Sequence, residues 1–283
     1  MRNFESEVQL KNFLKKEAKR LNINITAAYT TFFARELLHR LSRHQNEDLI
    51  LKGSSAEIAY LGRLVRAITD IDLATPYSRS EGFRTLIDAI LDREENTINY
   101  EFNRAVTQTP TGIYQFSLTA ELGNIKQSVG IDYQDHYSRL IEPIYREMPP
   151  IFEGDETFEL YMPSFEEYLA EKLCIILESN KEGMLNTRVK DFYDIYQLHG
   201  GKYDFDKLTE YFKKMIALRG KTTLEDANTG MLNKEIIQNH QQVWDHAKDR
   251  YSFSDHEIDL DGAVYYTKGV INEQMHKLGY IRR

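Results

Sequence analysis

The hydrophobic pattern of this chain changes period once, near residue 160. Before that point, short apolar runs rich in β-branched and aromatic residues alternate with helix-length stretches. After it, apolar residues recur at the 3.6-residue spacing of amphipathic helices. Such a chain is predicted to be α+β, with an N-terminal mixed sheet flanked by helices and then a C-terminal helical bundle. The change of period places domains at 1–160 and 161–283. No Gly/Ser-rich linker separates them, so the two parts are expected to pack together.

Helices are predicted over 5–21, from an N-cap at Thr26 to about Arg43, and near 81–92. Strands are predicted at Leu49–Lys52, Ile71–Ala74, 97–102, 112–122 and 125–133, the last two joined by a Gly123-Asn124 hairpin. Residues 157–161 read as one more short strand or an extended connector. Five helices follow, at 164–180, 187–198, 205–217, 231–250 and 261–278.

Composition excludes several classes. The single cysteine, Cys174, rules out an intramolecular disulfide and a cysteine-built zinc site. No apolar run approaches the roughly 18 residues of a membrane span, and the N-terminus has no apolar signal-like stretch. The expectation is a cytoplasmic protein with no membrane role. A net charge of −8 disfavours a general nucleic-acid coat, although it leaves room for a local basic groove and for a metal-binding carboxylate cluster.

Chemistry concentrates in two places. In LILKGSSAEIAYLGRLVRAITDIDLAT an apolar strand runs into Gly53-Ser54, a helix-length stretch follows, and Asp70-Ile71-Asp72 opens another strand. Residues two apart on a strand share a face, so Asp70 and Asp72 project together. Adjacent carboxylates repel unless a proton or cation lies between them. Gly53 allows close backbone approach, and Ser54 adds a hydroxyl and an N–H at a helix start. The set suits a metal-bound nucleoside triphosphate, with Mg2+ or Mn2+ as the cation.

The second place is a helix pair. In SFEEYLAEKLCIILESN, Phe165, Tyr168, Leu169, Leu173 and Ile176 form an apolar stripe that also contains Lys172, while Glu167, Glu171 and Glu178 gather opposite. In NTRVKDFYDIYQL, Val189, Phe192, Ile195 and Tyr196 form the apolar face. Arg188 falls within it and Asp191 at its edge, with Lys190, Asp194 and Gln197 on the polar side. A charge on a buried face needs an anion, a cation or a route to water. The plainer reading of Arg188 and Asp191 is an i,i+3 ion pair.

These residues resemble the AbiEii/AbiGii toxin family, DNA polymerase β-like nucleotidyltransferases of type IV toxin–antitoxin and phage-defence systems. The resemblance rests on Lys52-Gly53-Ser54, Arg66, Asp70-Ile71-Asp72-Leu73, Glu171-Lys172-Leu173 and Arg188-Val189-Lys190-Asp191-Phe192-Tyr193-Asp194-Ile195, in the family's order and spacing over roughly residues 20 to 200. The chain departs where the family has Gly-Gly-Thr-Ala-Leu, carrying Gly53-Ser54-Ser55-Ala56-Glu57. It also has Ile68, with Thr69 one place on, where a Ser or Thr usually stands two before the first aspartate.

The resemblance implies a polymerase β-like N-terminal fold. It implies that Asp70 and Asp72 bind magnesium, that Gly53, Ser54, Arg66, Lys172 and Arg188 bind the nucleotide, and that Lys172 and Asp191 belong to the catalytic centre. A third metal carboxylate is expected on a neighbouring strand, where Asp132 is the candidate. The implied reaction moves a nucleoside monophosphate from a triphosphate to RNA, with a tRNA 3′ end as leading acceptor, and implies an antitoxin encoded alongside. Two alternatives stay open: a kinase-like phosphotransferase on the same fold, and a non-enzymatic module acting through a partner. Lys213, Lys214, Arg219 and Lys221 are a candidate phosphate-contacting cluster, with a solvated helix end favoured over it. Trp244 reads as core and His199 as a helix C-cap.

Overall fold

The computed structural model describes residues 4, 6–92, 98–103, 106–109, 112–181, 188–198, 201–225, 234–255 and 257–280. It divides into two compact units, Met1–Pro163 with Tyr251–Ser254, and Ser164–Arg250 with Asp255–Arg283. The hairpin of the first unit and the helices of the second carry the sequence signals most directly.

In the first unit, helices α1 (Glu7–Arg20) and α2 (Ile25–His44) precede strand β1 (Ile50–Lys52), helix α3 (Gly53–Leu61), strand β2 (Asp70–Ala74) and helix α4 (Arg79–Leu91). Strands β3 (Asn99–Phe102), β4 (Thr107–Gln108), β5 (Tyr114–Leu122) and β6 (Ile125–Gln134) follow. The sheet runs β1-β2-β6-β5-β3, with β4 paired to β5. It is mixed: β2 and β6 are parallel, and the other pairs are antiparallel. A parallel pair needs a crossover, here supplied by α4 and the strands after it. Gly123, at φ +59, turns β5 into β6, so Leu122 pairs with Ile125.

Alternation along β2 and β6 sorts the two faces of the sheet. Ile71, Leu73, Val129, Ile131 and Tyr133 are buried, while Asp70, Asp72, Gly130 and Asp132 are half-buried on the other side. Helix α2 packs on this unit with Phe32, Phe33, Leu37, Leu38 and Leu41 in its core. Its cap is Asn24, not Thr26: Asn24 Oδ1 accepts from the Ala27 amide at 2.8 Å. Asn24 reaches the free N–H groups from the first non-helical position, which Thr26, already inside the first turn, cannot do.

A small antiparallel sheet of β7 (Ile144–Met148) and β8 (Phe158–Met162) completes the unit. Strand β7 was not legible, because its centre is Arg146-Glu147 and it shows little apolar alternation. The Arg146 guanidinium donates to the Ala59 carbonyl at 3.0 Å and lies over the Tyr60 ring. Segment Tyr251–Ser254 joins this unit through backbone bonds from Ala67 N to Tyr251 O and from Ser254 N to Val65 O, each 2.9 Å.

Helix α2 also buries charge. The Arg35 guanidinium pairs with Asp155 and donates to the Glu156 carbonyl at 2.6 Å. Glu36 is 7% exposed, and its Oε2 accepts no hydrogen bond among the described residues. Burial, reinforced by the Asp155 carboxylate and opposed by Arg35 and Arg40, pushes its carboxyl from 4.5 up to about 7. A raised carboxyl favours folding below its unfolded pKa, and that contribution is lost as pH rises through the folded value. Glu36→Gln is therefore expected to match the parent near pH 4.5 and to exceed it by on the order of 2–3 kcal/mol above pH 7. Urea unfolding at pH 5 and pH 8 checks this. A stability difference that is the same at both values would contradict the assignment.

The second unit holds α5 (Phe165–Lys181), α6 (Val189–Leu198), α7 (Phe205–Arg219), α8 (Lys234–Tyr251) and α9 (Leu260–Lys277). Side chains of Ser164, Asp204 and Asp259 accept amide N–H groups at the starts of α5, α7 and α9. Helix α5 packs on α7 and α6, and α9 on α6 and α7. Trp244 is 1% exposed, edge-on to Tyr193, and so belongs to the core. His199 lies outside the described residues. Among the described residues no helix is long and apolar enough to cross a membrane.

One expectation about this unit fails. Helix α5 does not turn a glutamate face to water: Glu167, Glu171 and Glu178 are all buried. Arg219, at the end of α7, donates through Nε and Nη2 to the two oxygens of Glu178, each at 2.7 Å, and stands 3.4 Å from Glu171. Arg219 is thus an internal counter-ion rather than part of an open phosphate-binding cluster. Lys214 pairs with Glu210 one turn earlier.

Candidate active site

In the first unit, register places the acidic residues. Lys52 on β1 is opposite Asp72 on β2, Asp72 is beside Asp132 on β6, and Asp132 is opposite Gln115 on β5. Neighbouring strands lie about 4.8 Å apart and paired residues share a face. One polar row therefore crosses four strands, with two carboxylates adjacent at its centre. Asp70 lies on the same face next to Gly130, whose missing side chain leaves room: a Cβ there would lie 3.5 Å from the Asp70 Cβ.

Each carboxylate has a local anchor. The Thr69 hydroxyl donates to Asp70 Oδ1 at 3.2 Å. The Gln115 amide donates to both oxygens of Asp132, at 3.0 and 3.1 Å. Asp72 lies against the first residue of α3: a Cβ on Gly53 would be 1.7 Å from its Oδ2. Gly53 also has φ +62, a backbone shape that disfavours side chains. The close approach that this glycine permits is therefore that of the Asp72 carboxylate, at a helix N-terminus whose dipole favours negative charge.

Gly53→Ala combines that clash with left-handed strain. It is expected to cost about 1–3 kcal/mol and to swing Asp72 out of the row. Thermal melts with activity assays check this, and a variant with the parent's melting temperature and activity would refute it.

Ser54 and Ser55 follow in the first turn of α3. Both are buried, and neither hydroxyl has a hydrogen-bond partner among the described residues. A buried hydroxyl without a partner at a helix start is suited to receive an anion's oxygen. Lys52 holds its ammonium over the Tyr137 ring, 3.9 Å from the centroid. Arg66 is 3% exposed, with its guanidinium over the Tyr251 ring at 5.4 Å.

Among the described residues no three His, Cys, Asp or Glu side chains are gathered into a ready-made metal cage. The donor set still fits a divalent cation of the magnesium type, which is usually bound by one or two carboxylates and completed by substrate oxygens and water. Asp70 and Asp72 present such a pair of carboxylates on one face, with Asp132 next along the row.

The second unit carries a charged cluster of its own. The Lys172 ammonium, on α5, donates to Asp191 Oδ1 at 3.0 Å and to Asp194 Oδ2 at 2.9 Å, both on α6. It also lies 5.3 Å from the centre of the Tyr168 ring. The Asp194 side chain is 0% exposed, so the polar face expected for Asp194 and Gln197 is in fact interior. Arg188 is half-exposed, with Nη1 3.8 Å from Asp191 Oδ2. Cys174, buried in the same helix as Lys172, has its thiol pKa pushed well up by burial, which removes it as a nucleophile.

The sequence reading left Lys52, Gln115 and Asp194 without roles. Hairpin register was a sufficient signal for Gln115, whereas nothing local signalled Asp194, whose partner Lys172 lies on another helix.

A sequence model of the nucleotidyl transferase AbiEii toxin, type IV toxin–antitoxin system, matches residues 36–264. The chain belongs to that family. The match spans both the carboxylate row and the Lys172 cluster, and the AbiEii family implies a triphosphate substrate and a cognate antitoxin. MenT4, a nucleotidyltransferase toxin from Mycobacterium tuberculosis, is similar in fold at TM-score 0.55 and 14% identity, over 97% of this chain and 99% of that one. JHP933 from Helicobacter pylori is similar at TM-score 0.50 and 11% identity, over 91% and 95%. At these identities the likeness is one of fold. No curated protein sequence matches the chain.

Proposed function

We propose that this AbiEii-family chain transfers a nucleoside monophosphate from a triphosphate to a hydroxyl of RNA, with a tRNA 3′ end as the leading acceptor. The observation that carries the reading is the row of Asp72 and Asp132, with Asp70 on the same face, set against the start of α3. Carboxylates gathered on one sheet face repel one another, and a divalent cation bound between them relieves that repulsion.

In the reaction, the acceptor oxygen forms a bond to the α-phosphorus, the bond from that phosphorus to the α,β-bridging oxygen breaks, and pyrophosphate leaves. Magnesium, when bound by Asp70 and Asp72, would supply charge neutralisation at the phosphates and lower the pKa of the attacking hydroxyl. The chain's own residues do the rest. Gly53 gives Asp72 its position. The Ser54 hydroxyl and the α3 N-terminus receive phosphate oxygens. Asp132, held by Gln115, accepts the hydroxyl proton. Lys172 and Arg188 offset the triphosphate charge, and Asp191 works with them. Arg66, buried against the Tyr251 ring, would be a further cation toward the triphosphate.

The protein would act in the cytoplasm, where triphosphate and RNA are abundant. The test is incubation with each of the four triphosphates and total tRNA, followed by sequencing of RNA 3′ ends. One triphosphate should extend a subset of tRNAs in the presence of Mg2+ or Mn2+. Unchanged ends under every condition would reject the acceptor.

A further inference from the structure

The Lys172 cluster has an internal asymmetry. One ammonium serves two carboxylates, and a second cation, Arg188, stands at the edge of only one of them. The two carboxylates differ in setting. The Asp194 side chain is 0% exposed and bonds the ammonium at 2.9 Å. The Asp191 side chain is 9% exposed and gives Oδ1 to Lys172. Among the described residues its buried Oδ2 accepts no hydrogen bond, and Arg188 Nη1 stands 3.8 Å from it. An anion arriving at this cluster can draw Lys172 and Arg188 away from Asp191 at small cost, because Asp191 is already incompletely satisfied. Drawing Lys172 from Asp194 breaks an ion pair whose carboxylate is fully enclosed, which costs more.

We propose that Asp194 is the positioning residue of the cluster: it anchors the Lys172 ammonium inside the second unit, while Asp191 is the partner that Lys172 exchanges for the triphosphate. This rests on the reading of Lys172 as a triphosphate contact. It assigns Asp194 no contact with substrate. Its task is to hold a flexible four-carbon stem at one point, so that the ammonium meets the phosphate without first being ordered.

The experiment compares Asp194→Asn and Asp191→Asn, which keep side-chain shape, in the full chain. The first measurement needs no nucleotide: the 15N-lysine spectrum of the protein. A buried, paired ammonium exchanges its protons slowly and gives a resolved signal, which Lys172→Met assigns by its loss. The signal should persist in Asp191→Asn and broaden or vanish in Asp194→Asn. Survival in Asp194→Asn with loss in Asp191→Asn overturns the proposal.

The second measurement is binding of a non-hydrolysable triphosphate by calorimetry, with KM and kcat for transfer alongside. Asp194→Asn should weaken binding and raise KM by about 10-fold or more, the usual scale for losing the group that orients a contacting residue, with a smaller change in kcat. If Asp194 merely adds negative charge, its removal leaves anion binding unchanged or tighter, which refutes positioning. Failure of the parent itself to bind triphosphate would defeat the functional reading of Lys172 and leave the ammonium spectrum to decide the anchor.

Discussion

Asp72→Asn is expected to lower transfer by on the order of 10³-fold while leaving the fold within about 1 kcal/mol of the parent. Two opposed contributions of similar size set the stability. Asp72 stands beside Asp132 on a parallel neighbour, with Asp70 on the same face, and like charges directly opposite on a sheet are unfavourable by roughly 0.2–1 kcal/mol. The start of α3, against which the carboxylate lies, favours its charge by about as much. The same carboxylate is what the bound cation and the triphosphate require, so the variant keeps the fold and loses the reaction. Steady-state transfer and urea unfolding on one preparation check both halves. An inactive variant that is also strongly destabilised would assign Asp72 to the fold instead of the chemistry.

Lys172→Met is expected to behave differently, losing activity and stability together. Removing the ammonium takes from the buried Asp191 and Asp194 the cation they share, and breaking a buried pair by deleting one partner costs about 3–5 kcal/mol. Replacing all three charges, as Lys172→Met with Asp191→Leu and Asp194→Leu, should restore most of that stability, because it also removes the stranded carboxylates. The triple variant should remain inactive. Denaturant midpoints for the single and triple variants provide the check, and a single variant as stable as the parent would contradict the buried-pair account.

These expectations depend on features that the sequence disclosed unevenly. The twin aspartates were legible because strand alternation is a local rule: Asp70 and Asp72 share a face whatever the rest of the chain does. The neighbourhood of Asp132 was legible in principle. Counting outward from the Gly123-Asn124 turn pairs Leu122 with Ile125 and Gln115 with Asp132.

Helices α5 and α6 were not legible in the same way. A helical wheel assumes one wet face, and by that rule Glu171, Glu178 and Asp194 belong outside. They are inside because their counter-ions arrive from other helices, Arg219 from α7 and Lys172 from α5. No local pattern reports a partner that lies tens of residues away. The cap of α2 was missed for a smaller reason. Asn24 and Thr26 are both good capping residues, and only the backbone shows which of them lies outside the first turn.

The most direct test of monophosphate transfer uses the triphosphate that extends RNA, labelled on either the α- or the γ-phosphate. The account predicts that label from the α-position enters RNA, that label from the γ-position is released in pyrophosphate, and that Asp72→Asn abolishes both. RNA or protein labelled only from the γ-position would show a kinase-like reaction instead and would contradict the account.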